Sequence, residues 1–178
     1  MGYSPSTRER VADLVAGLRV ETPVFTATTY INHVTSTGQF ELFNVHGRIL
    51  LMHLYIEAIT VFGAGAAVVA FTYTSTSPVI AVAEICDASA SVAALAQGKR
   101  IVWPGGVVAT LATITPSAGI SDYTPPNPHY IGTQGGTGSI GMLTATATVA
   151  SGTAQAFMNY IPLEKGAYVT ANALPTAP

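Results

Sequence analysis

Residues 39–55 read QFELFNVHGRILLMHLY, and the way this stretch divides into strands decides the fold. Phe40, Leu42, Val45, Gly47, Ile49, Leu51 and Leu54 nearly alternate with Glu41, Asn44, His46, Arg48 and His53. A period of two belongs to strands with one buried face. The alternation slips once, at Phe43 and Asn44, which predicts a short turn or bulge between two strands. Bulky apolar residues are crowded here in a chain otherwise rich in small ones, so this expected hairpin is the nucleus of the core.

Downstream, residues 56–62 continue as strand, 63–66 turn and 67–73 return, with a loop over 74–78 and an apolar, buried strand over 79–85. Residues 88–97 are either a helix, by their alanines, or a loop with one short turn, because Ser89, Ser91 and Val92 weaken the helix. Residues 100–103 form a short strand stopped by Pro104, and 107–115 alternate as another. The character then changes. Residues 116–141 hold Pro125, Pro126, Pro128 and many glycines with little periodicity, which predicts a long loop, either a functional projection or an inter-subunit element. Residues 142–149 (MLTATATV) alternate strictly, and 154–163 (AQAFMNYIPL) make the closing strand.

Upstream, Thr- and Val-rich residues 22–37 predict an extended connector or edge strand. Residues 6–20 predict a helix: Ser6 and Glu9 have capping-box spacing, and Val11, Leu14, Val15 and Leu18 form one apolar stripe. A helix this short must dock, on its own sheet or as an arm on a neighbour. Short strands with turn punctuation and one terminal helix predict an all-β chain, an antiparallel, jelly-roll-like β-sandwich with a short N-terminal helix or arm. The expected division is helix and arm over 1–37, sandwich over 38–166 and C-terminal tail over 167–178.

Charged residues are only 9% of the 178, against about 25% in an average soluble domain. Subunit interfaces are depleted of charge, so this deficit points to a surface covered by neighbours. The net charge of −2 gives no basic field for nucleic acid. The single Cys86 excludes an internal disulfide and a cysteine-based metal site. Charges interrupt the N-terminal apolar residues, so the opening of the chain does not read as a secretory signal. Mean hydropathy is +0.43 and residues 58–83 carry no charge, but Gly63, Gly65, the polar block 72–77 and Pro78 divide that run into two strands and a loop instead of a membrane helix.

No catalytic constellation emerges, and no cofactor is expected. Gly136, Gly138 and Gly141 satisfy G-x-G-x-x-G literally, but a dinucleotide site needs a strand before, a helix after and a later acid, and here a loop is expected. His33, His46, His53 and His129 show no zinc-ligand spacing, so no metal is expected within one chain. Glu41, Glu57, Glu84, Asp87 and Asp122 are the carboxylates available for acid–base work, and outward-pointing charges on half-buried strands account for Glu57 and Glu84. Tyr123, His129 and Tyr130 either form a contacting tip or pin the long loop to its own domain, and pinning is favoured because a long loop needs anchors.

Three segments resemble capsid-decoration, or cement, proteins of tailed bacteriophages. ELFNVHGRILLMHLYIEAIT is similar to their opening hairpin, RIVWP at 100–104 to a Trp-bearing strand, and 138–166, ending in NYIPLEKG, to the closing hairpin. The long 116–135 loop, the N-terminal helix and the low charge depart from that pattern. The resemblance implies a non-enzymatic β-sandwich subunit, a homotrimer on the outer capsid surface of the virion, holding the major capsid protein lattice. It implies neither nucleic-acid nor membrane binding. The interface is expected at Val11, Leu14, Val15, Leu18, Tyr123, His129 and Tyr130. The rival expectation is a tail- or fibre-associated receptor- or glycan-binding module that uses the 116–141 loop.

Overall fold

The structure, a computed structural model, describes residues 18–22, 25–26, 40–65, 68–76, 79–86, 89, 92–103, 112–114, 129–145 and 150–172. These hold twelve strands: β1 (Leu18–Glu21), β2 (Phe25–Thr26), β3 (Phe40–His46), β4 (Ile49–Ala58), β5 (Val68–Thr76), β6 (Val79–Glu84), β7 (Arg100–Val102), β8 (Ala112–Ile114), β9 (His129–Ile131), β10 (Thr137–Ala145), β11 (Thr153–Pro162) and β12 (Tyr168–Ala171). The first sheet runs β1-β11-β4-β7-β8, with β2 also on β11 and β9 also on β4; the second runs β12-β3-β10-β5-β6. Every pairing is antiparallel and the sheets pack face to face, so the chain is the all-β sandwich its alternation predicts.

The decisive stretch carries two bulges. In β3, Ile140 lies opposite Phe43 while its neighbour Gly141 lies opposite Glu41, leaving Leu42 as the extra residue. The parity flips there, so Leu42 and Phe43 are both fully buried while Glu41, Asn44 and His46 share the outer face. In β4, Asn159 faces His53 and Tyr160 faces Leu51, so Met52 is the extra residue. Ile49, Leu51, Leu54, Ile56 and Ala58 therefore all reach the core. There they meet Val45, Val69, Phe71, Ile140 and Met142 of the second sheet, together with Trp103 and Phe62.

The slip is a bulge within one strand, but the expected hairpin is not formed. β3 and β4 lie in opposite sheets, and the turn at Gly47 and Arg48 carries the chain across the sandwich. Both strands have buried faces, and packing those faces against each other hides more apolar surface than pairing them edge to edge. β4 and β5 are likewise divided between the sheets.

The helix expected over 6–20 lies outside the described residues except at its end, and that end is strand. Val20 packs on the core while Arg19 and Glu21 point outward and pair at 3.3 Å, a period of two set by the backbone of β11. The loop expected over 116–141 is shorter, because β9 and the first half of β10 fall inside it. Of its G-x-G-x-x-G residues, Gly138 and Gly141 lie in β10, which begins just after Gly136. Within the expected tail, Tyr168–Ala171 belong to the second sheet as β12, with Ala167 and Val169 buried and Tyr168 and Thr170 exposed. The uncharged run 58–83 is divided among β4, β5 and β6, and no helix among the described residues is long and apolar enough to cross a membrane.

Candidate functional site

On the outer face of the second sheet, register stacks polar side chains in rungs. One crosses Tyr168, His46 and Thr137 on β12, β3 and β10. The next crosses Thr170, Asn44, Ser139 and Thr74 on β12, β3, β10 and β5. Beyond it the Leu42 bulge turns Glu41 outward, opposite Gly141, which has no side chain to crowd it. Were Leu42 paired in unbroken alternation instead of bulged, Glu41 would aim its carboxylate into the core.

These residues hold one another. Ser139 Oγ donates to Glu41 Oε1 at 3.0 Å and stands 2.7 Å from Thr74 Oγ1, so with that direction the Thr74 hydroxyl donates to Ser139 and the relay ends on the carboxylate. Asn44 Nδ2 donates to Asn172 Oδ1 at 3.4 Å, and Asn172 Nδ2 lies 3.3 Å from the Glu41 carbonyl oxygen. At one end His46 and Tyr168 stack, with ring centroids 4.3 Å apart and planes inclined by 15°. Glu41, Asn44, His46, Thr74, Thr137, Gly138 and Ser139 line an open groove of about 380 Å³. That volume lies within the roughly 300–1,000 Å³ usual for small-ligand clefts. Among the described residues, Glu41 is the only charged one lining the groove, and no lysine or arginine lines it.

The end of the groove beside His46 is clamped by Glu164. Its Oε1 accepts from Gly135 N at 2.9 Å and Arg48 N at 3.1 Å, and Oε2 lies 3.6 Å from Arg48 Nε. The Gly135 N–H above all, followed by the backbone N–H and the guanidinium of Arg48, holds this carboxyl below its ordinary value against an opposing burial effect. One side chain that is 15% exposed thus joins three turns. Gly47 sits at φ +71°, and a Cβ there would strike Glu164 Oε1.

The outer face of the first sheet is different. Tyr55 and Phe157 stack at 4.9 Å, with Arg19 over Phe157 and Arg100 over Tyr55, each guanidinium 4.8 Å from its ring centroid. Arg100 also pairs with Glu57 at 2.8 Å. Burial pushes the Tyr55 hydroxyl up and the His53 imidazole down from their ordinary values. Toward one end a rung of Ile161, Leu50 and Tyr130 crosses β11, β4 and β9, half-buried except for Tyr130, which is 74% exposed.

Of the expected interface residues, Val11, Leu14, Val15 and Tyr123 lie outside the described residues. Leu18 opens β1 opposite Tyr160, on the core side of the sheet and partly exposed. His129 is pinned: its ring meets Trp103 edge-on at 6.4 Å. Tyr130 points outward. His46 and His53 lie in different sheets, and among the described residues no three His, Cys, Asp or Glu side chains are grouped to hold a metal ion.

No protein-family model, curated protein or solved structure matches this chain. Its chemistry therefore has to be read from its own residues. Sequence reasoning missed Ser139, Thr74, Asn172, Tyr168 and Glu164. The alternation of Ala167 and Val169 with Tyr168 and Thr170 was the available signal for β12. Nothing in the sequence marks the serine and threonine of the relay, which become partners only through register.

Proposed function

We propose that the chain is a virion structural protein of a tailed bacteriophage, a capsid-decoration or cement subunit that binds the major capsid protein on the outer capsid surface as a homotrimer. The observation that carries this reading is the outer face of the first sheet. Its guanidinium groups are occupied by Phe157, Tyr55 and Glu57, and its Ile161–Leu50–Tyr130 end offers apolar and aromatic surface to another polypeptide. Aromatic side chains with few free charges suit the centre of a protein–protein contact. A chain with 9% charged residues gains by covering such a face. In this role the subunit works by adhesion, without turnover. Several modest contacts joined around a symmetry axis reinforce one another through effective concentration, so a trimer stays where a monomer would dissociate.

The test is co-sedimentation of the full chain with capsids, combined with its mass in solution. The expected result is many copies per particle and a trimeric mass, with occupancy falling at least tenfold for Tyr130→Glu. A monomer that leaves capsids unoccupied overturns the reading. The rival reading placed recognition in the 116–141 loop, half of which lies outside the described residues while the other half is largely strand, so it gains no support from that loop.

A further inference from the structure

We infer that the groove across β3, β10 and β5, flanked by Tyr168, is a binding site for a neutral saccharide. The lining chemistry selects this class. A pyranose presents hydroxyls that both give and take hydrogen bonds, plus a flatter C–H surface. The groove presents the Glu41 carboxylate as acceptor, Asn44 as donor and acceptor, the Thr74 and Ser139 hydroxyl oxygens as acceptors, their protons being used in the relay, and the Thr137 hydroxyl, which does either. The stacked His46–Tyr168 pair, with Tyr168 46% exposed, supplies an aromatic plane beside them for the C–H surface.

The same chemistry excludes other ligands. A phosphate, sulfate or sialylated glycan would meet Glu41 with no lysine or arginine among the described lining residues to offset it. An apolar ligand would have to strip water from the relay without replacing its hydrogen bonds. The groove is also preorganised: its polar groups stand on paired strands and are oriented by the Thr74–Ser139–Glu41 relay and by Asn172, so little side-chain freedom remains to be lost on binding. Its open form lets it grip one or two units of a longer chain.

The experiment is a titration of the isotope-labelled full chain with neutral tetrasaccharides of glucose, galactose and N-acetylglucosamine, and with a sialylated oligosaccharide as the anionic arm, followed by backbone NMR. Saturable shifts are expected for a neutral sugar at Asn44, Thr137, Ser139 and Tyr168, with binding at least tenfold weaker in Tyr168→Ala and Glu41→Gln. Thr137→Arg, at an exposed position, gives a second block that leaves the core alone. Thermal melting of each variant reports that it is folded. Absence of shifts with every neutral sugar, shifts confined to the rest of the molecule, indifference to all three substitutions, or preference for the anionic sugar would each overturn the inference. Capsid occupancy reads the other face of the sandwich, so the two proposals stand or fall separately.

Discussion

The two outer faces of the sandwich use their polar groups in opposite ways. On the first sheet, arginine, aromatic ring and carboxylate are spent on one another, and what remains at the Ile161–Leu50–Tyr130 end is apolar. On the second, hydroxyls, amides and one carboxylate stand in rungs above a groove. Both faces descend from the same stretch, residues 40–58, which supplies β3 to one sheet and β4 to the other. A single-residue insertion at each bulge decides which side chains face outward. The difference teaches that function-bearing polarity in a charge-poor chain is set by register more than by composition.

The comparison breaks most completely at Leu42. Leu42→Ala empties a fully buried site and is expected to cost about 2–5 kcal/mol, read from denaturant unfolding. Deleting Leu42 removes the bulge and places Glu41 directly beside Phe43, still opposite Gly141 and still facing outward, so a loss of similar size is expected, from the missing buried side chain and with no charge turned inward. Next in size is Gly47→Ala, which places a side chain at φ +71° against Glu164. At least about 1–2 kcal/mol is expected, with the Glu164 hydrogen bonds to Arg48 and Gly135 disturbed.

Glu164 sharpens the comparison through pH. Its folded value lies below the ordinary 4.5, so its stabilisation is complete above 4.5 and is lost as pH falls through the lowered folded value. His53, on the other face, is also held below its ordinary 6.5, and because the unfolded chain takes up that proton more readily, stability begins to fall as pH drops below 6.5. Melting temperature against pH is therefore expected to decline in two steps. Glu164→Gln should abolish the lower step and leave the upper one.

The smallest stability effects belong to the first sheet's surface. Arg100→Ala should cost only about 0.5–1 kcal/mol, because its pairs with Glu57 and Tyr55 remain partly solvated. Tyr130→Glu should change stability by no more than about 0.5 kcal/mol while lowering capsid occupancy, which separates a contact residue from a structural one.

The strands themselves were largely legible. Alternation located β3, β4, β5, β10 and β11, and the slip near Phe43 marked a real bulge. Partnership was not legible, because period two says which side of a strand is buried and nothing about which strand lies beside it. That is why residues 40–58 read as a hairpin. The glycines at 136–141 concealed the start of β10, since glycine lacks strand propensity. Gly138 is nonetheless suited to strand here: a Cβ would run into the Thr74 carbonyl oxygen and the ring of Tyr73. Of the candidate site, Glu41, His46 and Tyr130 were singled out as residues, but the groove that gathers the first two was not, because its walls come from positions up to 98 residues apart.

The crossing turn at Gly47 and Arg48 also governs how the polypeptide comes together in time. β3 waits for β10 and β12, and β4 waits for β11, so strands made early in synthesis find their main neighbours only in the last third of the chain. Among the described strands, only β5 with β6 and β7 with β8 pair as chain neighbours. Loop-closure entropy then has to be overcome before most contacts form, which places the chain among slow folders with high contact order. Ribosome-bound fragments ending before residue 137 would expose unpaired apolar strands, leaving them dependent on chaperones until the closing third emerges.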